Sequence, residues 1–421
     1  AIKYYEKLIK LKPNHKYAIG NLIHAKMLIC DWNNFDNKIK NLIISINKNY
    51  KTITPYQIIS LIDKPELHKL SSEILAKDKF IISEKKNSKK ISKNKSKIIL
   101  GYFSPDFYDH AVLHLIMDVF KNHDKSKFDI YAFSFGPKED EMTKEIKKYF
   151  TKFINIQRNS DEEVAKLCKK IGVDIAVDLC GYTSWNRSEI FSYRPAPIQI
   201  NYLGFPGTMG TEFIDYIIAD KVIIPEIHKV NYSEKIIYLP HCYQANIKNK
   251  KISNKGFKKT DFKLPDESFV FCNFNSNHKI TPRVFNSWME ILKKVPNSVL
   301  WLLKSNNLAS ENLCEEAEKR NINKNRLIFA EYLPKEEHLE RIKFADLFLD
   351  TFPYNAHTTA SDAIRMGIPI ITLIGKSFAS RVSASLLNQV NLNNLVTTNN
   401  NEFQNLAINL ANDKKKMKKV K

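Results

Sequence analysis

Glycine is scarce in this chain, 11 in 421 residues, and no glycine-rich phosphate loop is present. A bound nucleotide would have to be held by something other than a P-loop. Arginine is scarcer still: 66 residues are basic, but only nine are Arg (Arg158, Arg187, Arg194, Arg283, Arg320, Arg326, Arg341, Arg365 and Arg381). Planar guanidinium forks are what phosphate and base-edge recognition favour. The formal charge of +21 therefore does not mark a nucleic-acid partner. Lys, Asn and Ile abound throughout, as in proteins of AT-rich genomes, and the positive field can still help recruit an acidic substrate. The six cysteines, Cys30, Cys168, Cys180, Cys242, Cys272 and Cys314, form no C-x-x-C pair and show no zinc spacing with His. Most sit in apolar runs, as small hydrophobes do, so a reducing, cytoplasmic setting is expected. No apolar run reaches the roughly 18 residues of a membrane span, and no membrane partner is expected.

What is present is enough apolar residue, 43 %, for two or three cored domains. Residues 1–35 read as helices: Ile2, Tyr5, Leu8, Ile9 and Leu11 recur at helical spacing, Pro13 and Asn14 break the pattern, and a second helix runs to Leu28. The break, followed by Ala18 and Asn21-Leu22, resembles the end of a tetratricopeptide repeat array. One repeat cannot bury its own face, so further repeats are expected upstream, with oligomerisation through them left open. Residues 36–97 read as a helical transition that ends in the charged run EKKNSKKISKNKSK at 84–97, a solvated linker by composition.

Residues 98–245 and 266–421 each alternate strand and helix, joined by a polar connection at 246–265. Such alternation predicts an α/β class with mainly parallel sheets, whose ligands bind beyond the carboxyl ends of strands. In the first stretch Asp106, His110, Tyr182 and Gly204 fall just after expected strands. His110 and His114 share a helix face, but no third ligand is placed, so no metal is expected. The segment RPAPIQINYLGFPGTMG clusters Pro and Gly in a loop that backbone can bring close to a ligand.

The second stretch carries the strongest signal, DTFPYNAHTTASDAIRMGIPIITL at 350–373. It reads as a strand end, a polar turn, a helix and another strand. Thr358, Thr359 and Ser361 stand where the helix should start, and Gly367 and Pro369 where it should stop. A helix N-terminus carries free N–H groups and about half a positive charge, a natural seat for phosphate. Asp362, on the same face as Thr358, could hold ribose hydroxyls. Lys279, at a strand-to-helix turn, could neutralise a phosphate as a point charge. Lys335 and His338 stand on the first turn of another helix. Each of these also has a plain structural reading, as a capped helix or a solvated lysine.

Taken together and in order, CDW, GYFSPDF…H…HL, GYT, RPAPIQ…LG.PGT.G, FCNFN…KI.P, VPNSVLWLL, PKEEH, DTFPYN.HTTASDA and ASRV.AS resemble one family, the O-linked N-acetylglucosaminyltransferases with their bacterial and plant Spindly relatives. The resemblance covers residues 1–35 and 98–395. It implies a GT-B glycosyltransferase with two facing Rossmann-like domains behind a repeat remnant. The implied enzyme is an inverting one that uses UDP-GlcNAc as donor, needs no metal or cofactor, and glycosylates Ser or Thr of a protein or peptide acceptor. By matched motif, His338 and the backbone near Leu333 would hold uracil. Lys335, His357 and Asp362 would hold the ribose side, and Thr358, Thr359 and Lys279 the diphosphate. Ser276 stands at a further donor-binding position. His110, with Leu203 and Gly204, would line the sugar and acceptor side, and Asp106 is a candidate proton acceptor.

The chain also departs from the animal pattern. Ser276 replaces a Gln, Ser184 a Lys after GYT, and Asp109 an Asn before His110. A transition-segment His is replaced near Pro55-Tyr56, and the animal intervening domain is absent. The Lys-rich end reads as a C-terminal domain without its usual last helix. The alternatives are another donor, GDP-fucose or UDP-glucose, an envelope acceptor, or a repeat scaffold with a degenerate transferase domain. His357 before the two Thr argues against fucose, and the intact site residues argue against degeneracy.

Overall fold

The computed structural model describes residues 1–80 and 95–421, so most of the 84–97 run lies outside the described residues. The chain divides into two compact units. One comprises Ala1–Lys48, Gln57–Lys64 and Asn249–Lys421, the other Asn49–Tyr56 and Pro65–Lys248.

The second of these is built on a seven-stranded parallel sheet. Its strands are β1 (Ile98–Ser104), β2 (Phe128–Ser134), β3 (Lys152–Asn155), β4 (Ile175–Asp178), β5 (Ile198–Asn201), β6 (Tyr216–Ala219) and β7 (Lys235–Tyr238), in the order β3-β2-β1-β4-β5-β6-β7. The sequence pattern predicts β1, β2, β4, β5 and β6. The edge strands β3 and β7 escape it because each is four residues with only intermediate burial between exposed positions, too little apolar run to read. Helices between strands are well punctuated. Asp161–Ile171 starts in a capping box, with Ser160 and Glu163 exchanging side-chain-to-backbone bonds, and ends at Gly172 with φ +82°.

The other unit carries a six-stranded parallel sheet of β8 (Phe269–Asn273), β9 (Ser298–Leu303), β10 (Leu327–Ala330), β11 (Leu347–Leu349), β12 (Ile370–Leu373) and β13 (Val396–Thr397), ordered β10-β9-β8-β11-β12-β13. All six are the strands expected from sequence. The residues of β8, β9, β11 and β12 are almost wholly buried, as a parallel sheet covered on both faces requires. Trp288, Trp301, Phe271, Phe285 and Phe348 are completely buried, each contributing roughly 1.5–3 kcal/mol by leaving water. The N-terminal helices Ile2–Leu11 and Ala18–Leu28 belong to this same unit. Asn306 and Asn312 donate to the carbonyls of Leu28 and Ile29 at 3.0 and 2.7 Å, and Trp32 packs against Phe285. Asp63 is tied in as well, accepting from the N–H groups of Lys376 and Ser377.

In each sheet the strand order reverses once, at β1/β4 and at β8/β11. Crevices outside the carboxyl ends of such strand pairs are where open α/β sheets bind ligands. Asp106 follows β1 and Asp178 ends β4; Lys279 follows β8, and the 350–358 turn follows β11.

Candidate active site

The β8/β11 crevice is organised by a buried carboxylate that sequence reasoning missed. Asp350, just past β11, accepts from the N–H groups of Thr351 and Ala356, each at 2.7 Å, and from Thr372 Oγ1 at 2.7 Å. Burial pushes its pKa up to about 6 against these bonds. The turn is closed further by Asn355, whose Nδ2 donates to Thr351 O at 2.9 Å.

This frame fixes Lys279. The lysine ends a short 3-10 turn, Asn277–Lys279. Its Nζ donates to Asn355 O at 2.9 Å and stands 3.6 Å from the Tyr354 ring centroid. Among the described residues no carboxylate pairs with it within 4.0 Å. Burial of the ammonium drives its pKa down to about 7, with Asp350 pulling the other way. The residue as a whole is only part-buried. Such a lysine gains most from an anion brought to it.

The helix Thr358–Arg365 begins beside it. His357 is its N-cap and makes no side-chain capping bond, although its carbonyl accepts from Ala360 N–H at 3.1 Å; a helix start of this kind suits an anion. Thr359 Oγ1 donates to Asn275 Oδ1 at 2.5 Å, and Asn275 in turn donates to Thr351 Oγ1 at 2.9 Å. The His357 ring lies edge-on to Tyr354 at 4.9 Å. Burial, and then Lys279, hold its pKa well below the usual value, so it stays neutral. Ser276 Oγ reaches His278 Nδ1 at 3.0 Å.

Asp362 is wholly buried on the same helix and is gripped by Lys335 on one oxygen and by Lys250 on the other, the latter at 3.2 Å. Burial alone would raise its pKa, but the two lysines hold it below the ordinary carboxylate value. His338, on the helix Lys335–Ile342, meets Phe274 edge-on at 5.0 Å and accepts from Arg341 Nε on Nδ1 at 3.2 Å. That bond leaves the ring proton on Nε2. Burial pushes the His338 pKa down to about 3, so it offers a neutral donor. Lys279, Lys335, His338, His357, Thr358, Thr359, Asp362 and Ser276 thus share one unit. Lys250, Asp350 and Asn355 are the residues without a sequence signal there.

The other unit holds Asp106, His110, Leu203 and Gly204. Asp106 is 8 % exposed, and burial lifts its pKa to about 7. His110 Nδ1 lies 3.5 Å from Asp106 Oδ2, and burial, then His114, lower its pKa. His114 itself binds Asp109 Oδ1 at 2.6 Å. Among the described residues no three His, Cys, Asp or Glu stand together as a metal-holding group. Leu203 takes φ +72°, a strained value for a side-chain-bearing residue. Gly204 leaves no room for one: a Cβ would fall 2.0 Å from Leu179 O. Asp178, beside them at the end of β4, accepts from the N–H groups of Cys180 and Gly181.

Two doubly wound parallel sheets, one with a desolvated lysine and the other with a buried acid at its switch point, are the architecture of a glycosyltransferase of the GT-B class. The chain belongs to glycosyl transferase family 41, the O-GlcNAc transferase family, whose model matches residues 29–254 and 248–421. It is 35 % identical over 325 residues to the probable UDP-N-acetylglucosamine–peptide N-acetylglucosaminyltransferase SEC of Arabidopsis thaliana, covering 76 % of this chain and 33 % of that one. The UDP-N-acetylglucosamine–peptide N-acetylglucosaminyltransferase of Caenorhabditis elegans is 25 % identical over 516 residues, 92 % of this chain and 45 % of its own. The chain thus spans between a third and a half of the length of these relatives. In fold it matches a mutant of the Thermobaculum terrenum O-GlcNAc transferase with a TM-score of 0.84 at 22 % identity, over 100 % of this chain and 81 % of that one. Among the described residues no helix is long and apolar enough to cross a membrane.

Proposed function

We propose that this chain moves N-acetylglucosamine from UDP-GlcNAc to Ser or Thr hydroxyls of a protein acceptor, with inversion and without a metal ion. The observation that carries the reading is the Lys279 ammonium, desolvated and, among the described residues, without a carboxylate within 4.0 Å, beside the start of the Thr358–Arg365 helix, whose N-cap makes no side-chain capping bond. Both features favour a diphosphate. The printed names of the Arabidopsis and Caenorhabditis relatives supply the sugar and the peptide acceptor.

In the reaction the acceptor oxygen bonds to the anomeric carbon as the bond from that carbon to the diphosphate oxygen breaks. The hydroxyl proton passes to a base, for which Asp106 is the candidate, its pKa raised into the working range. Charge builds on the departing UDP, where Lys279 and the helix N-terminus are already in place, so little reorganisation is needed. His338 and Asp362 are assigned to the nucleoside.

The test is calorimetric titration with UDP, UDP-GlcNAc and GDP-fucose in the absence of divalent metal. Selective binding of the two uridine ligands is expected. Binding of GDP-fucose alone would overturn the donor, and binding of none would overturn the transferase reading.

A further inference from the structure

The connection at 246–265 is polar in sequence, yet it delivers one of the most enclosed ammonium groups of the site. The Lys250 side chain is 5 % exposed and the Asp362 side chain 0 %. Lys250 Nζ donates to Asp362 Oδ1 at 3.2 Å, and Lys335 donates to Oδ2. The backbone that carries Lys250 is itself pinned. Ser253 N donates to Glu336 O at 3.1 Å, and the Lys255 and Gly256 N–H groups donate to the Glu340 carboxylate at 3.1 and 2.9 Å. Lys250 therefore reaches Asp362 from an anchored segment.

Neutralising Asp362 requires one lysine, and Lys335 suffices. Burying a second ammonium costs several kcal/mol before any return. What the second one adds is geometric. A carboxylate bonded at one oxygen can swing about its terminal torsion. Bonded at both, its plane is fixed, and with it the direction of the remaining lone pairs. We propose that Lys250 is a positioning residue of the donor site: it locks the Asp362 carboxylate, ionised and oriented, to accept the ribose hydroxyls of the nucleotide. The inference rests on the donor reading above and assigns to the inter-sheet connection a part in nucleotide recognition.

The experiment compares UDP with 2′,3′-dideoxy-UDP, by calorimetry, on wild type, Lys250→Met and Lys250→Arg. Lys250→Met should weaken UDP about ten- to a hundredfold, the worth of one hydrogen bond to a charged group. It should leave dideoxy-UDP, already weak, unchanged, because the ligand lacks the hydroxyls that Asp362 would accept. Lys250→Arg should retain most of the UDP affinity. UDP binding to Lys250→Met at wild-type strength would overturn the proposal, as would equal losses for both ligands, which is what a purely structural or bulk-charge role predicts. If the Met variant does not fold, Lys250→Gln, which removes the charge while its amide keeps two N–H donors, carries the same comparison. Failure of wild type to bind UDP would refute the donor reading and this proposal with it; wild-type binding of UDP together with either of those two outcomes refutes the proposal alone.

Discussion

Lys279 should make donor affinity fall steeply with pH over a range where the diphosphate of UDP does not titrate. Burial brings its pKa to about 7 in the ligand-free site, and a diphosphate would raise it again. By that value about half of the molecules carry the ammonium at pH 7, about a tenth at pH 8 and about a hundredth at pH 9. If only the ammonium form binds, affinity falls about fiftyfold from pH 7 to pH 9, or about 2.3 kcal/mol, and binding near pH 8 takes up about 0.9 proton. Terminal phosphates titrate near about 6, below the window. Asp350, at about 6, titrates below it too, while burial keeps His278 at about 3 and His357 well below its usual value. Titration calorimetry in two buffers of different ionisation enthalpy gives affinity and proton uptake together. A flat affinity with no uptake would refute the reasoning. Lys279→Arg, charged throughout, should bind with a flat profile, and Lys279→Ala should lose both UDP binding and transfer.

The same lysine sets a stability slope. Its folded pKa of about 7 lies below the ordinary lysine value of 10.5, so the unfolded chain binds more protons between them. Ligand-free stability should therefore rise with pH across that interval. Lys279→Met should remove the slope and melt higher than wild type below pH 7, as scanning calorimetry would show; coincident melting curves at every pH would count against it. Asp106→Asn should lower kcat by about 10²–10⁴ and erase an acid limb centred near the Asp106 value of about 7, with UDP affinity intact. An unchanged pH–rate profile would remove Asp106 as base. Gly204→Ala sets a Cβ 2.0 Å from the Leu179 carbonyl, so its urea midpoint should drop by an amount equivalent to about 1–3 kcal/mol. A wild-type midpoint would mean the loop yields freely. His338→Ala should weaken UDP about tenfold while leaving inorganic pyrophosphate binding as it was; equal loss of both would place His338 away from the base.

Much of the frame was legible in the chain because it depends on local chemistry. The buried strands β8 to β12 announce themselves as apolar runs bounded by turns. The Thr358–Arg365 helix is written by its Thr start and Gly367 stop. The edge strands β3 and β7 were not legible, since half-exposed four-residue strands such as KFIN and KIIY carry little apolar signal. In sequence Asp350 reads only as a strand end and Asn355 as part of the polar turn after it; their role as the buried frame beneath Lys279 is visible only through bonds to Thr372, Ala356 and Lys279.

The sequence by itself determined the α/β class and the family resemblance, and it named the candidate donor-site residues. Helix starts, strand runs and collinear motifs are properties of neighbouring residues, and they survive without knowledge of packing. Tertiary structure alone decided which distant groups share a dielectric environment. It set the N-terminal helices in one unit with the C-terminal sheet and stripped water from Lys279. It also carried Lys250 across 112 positions of chain to Asp362. Charge, burial and hydrogen-bond geometry act through space, and no spacing along the chain encodes them.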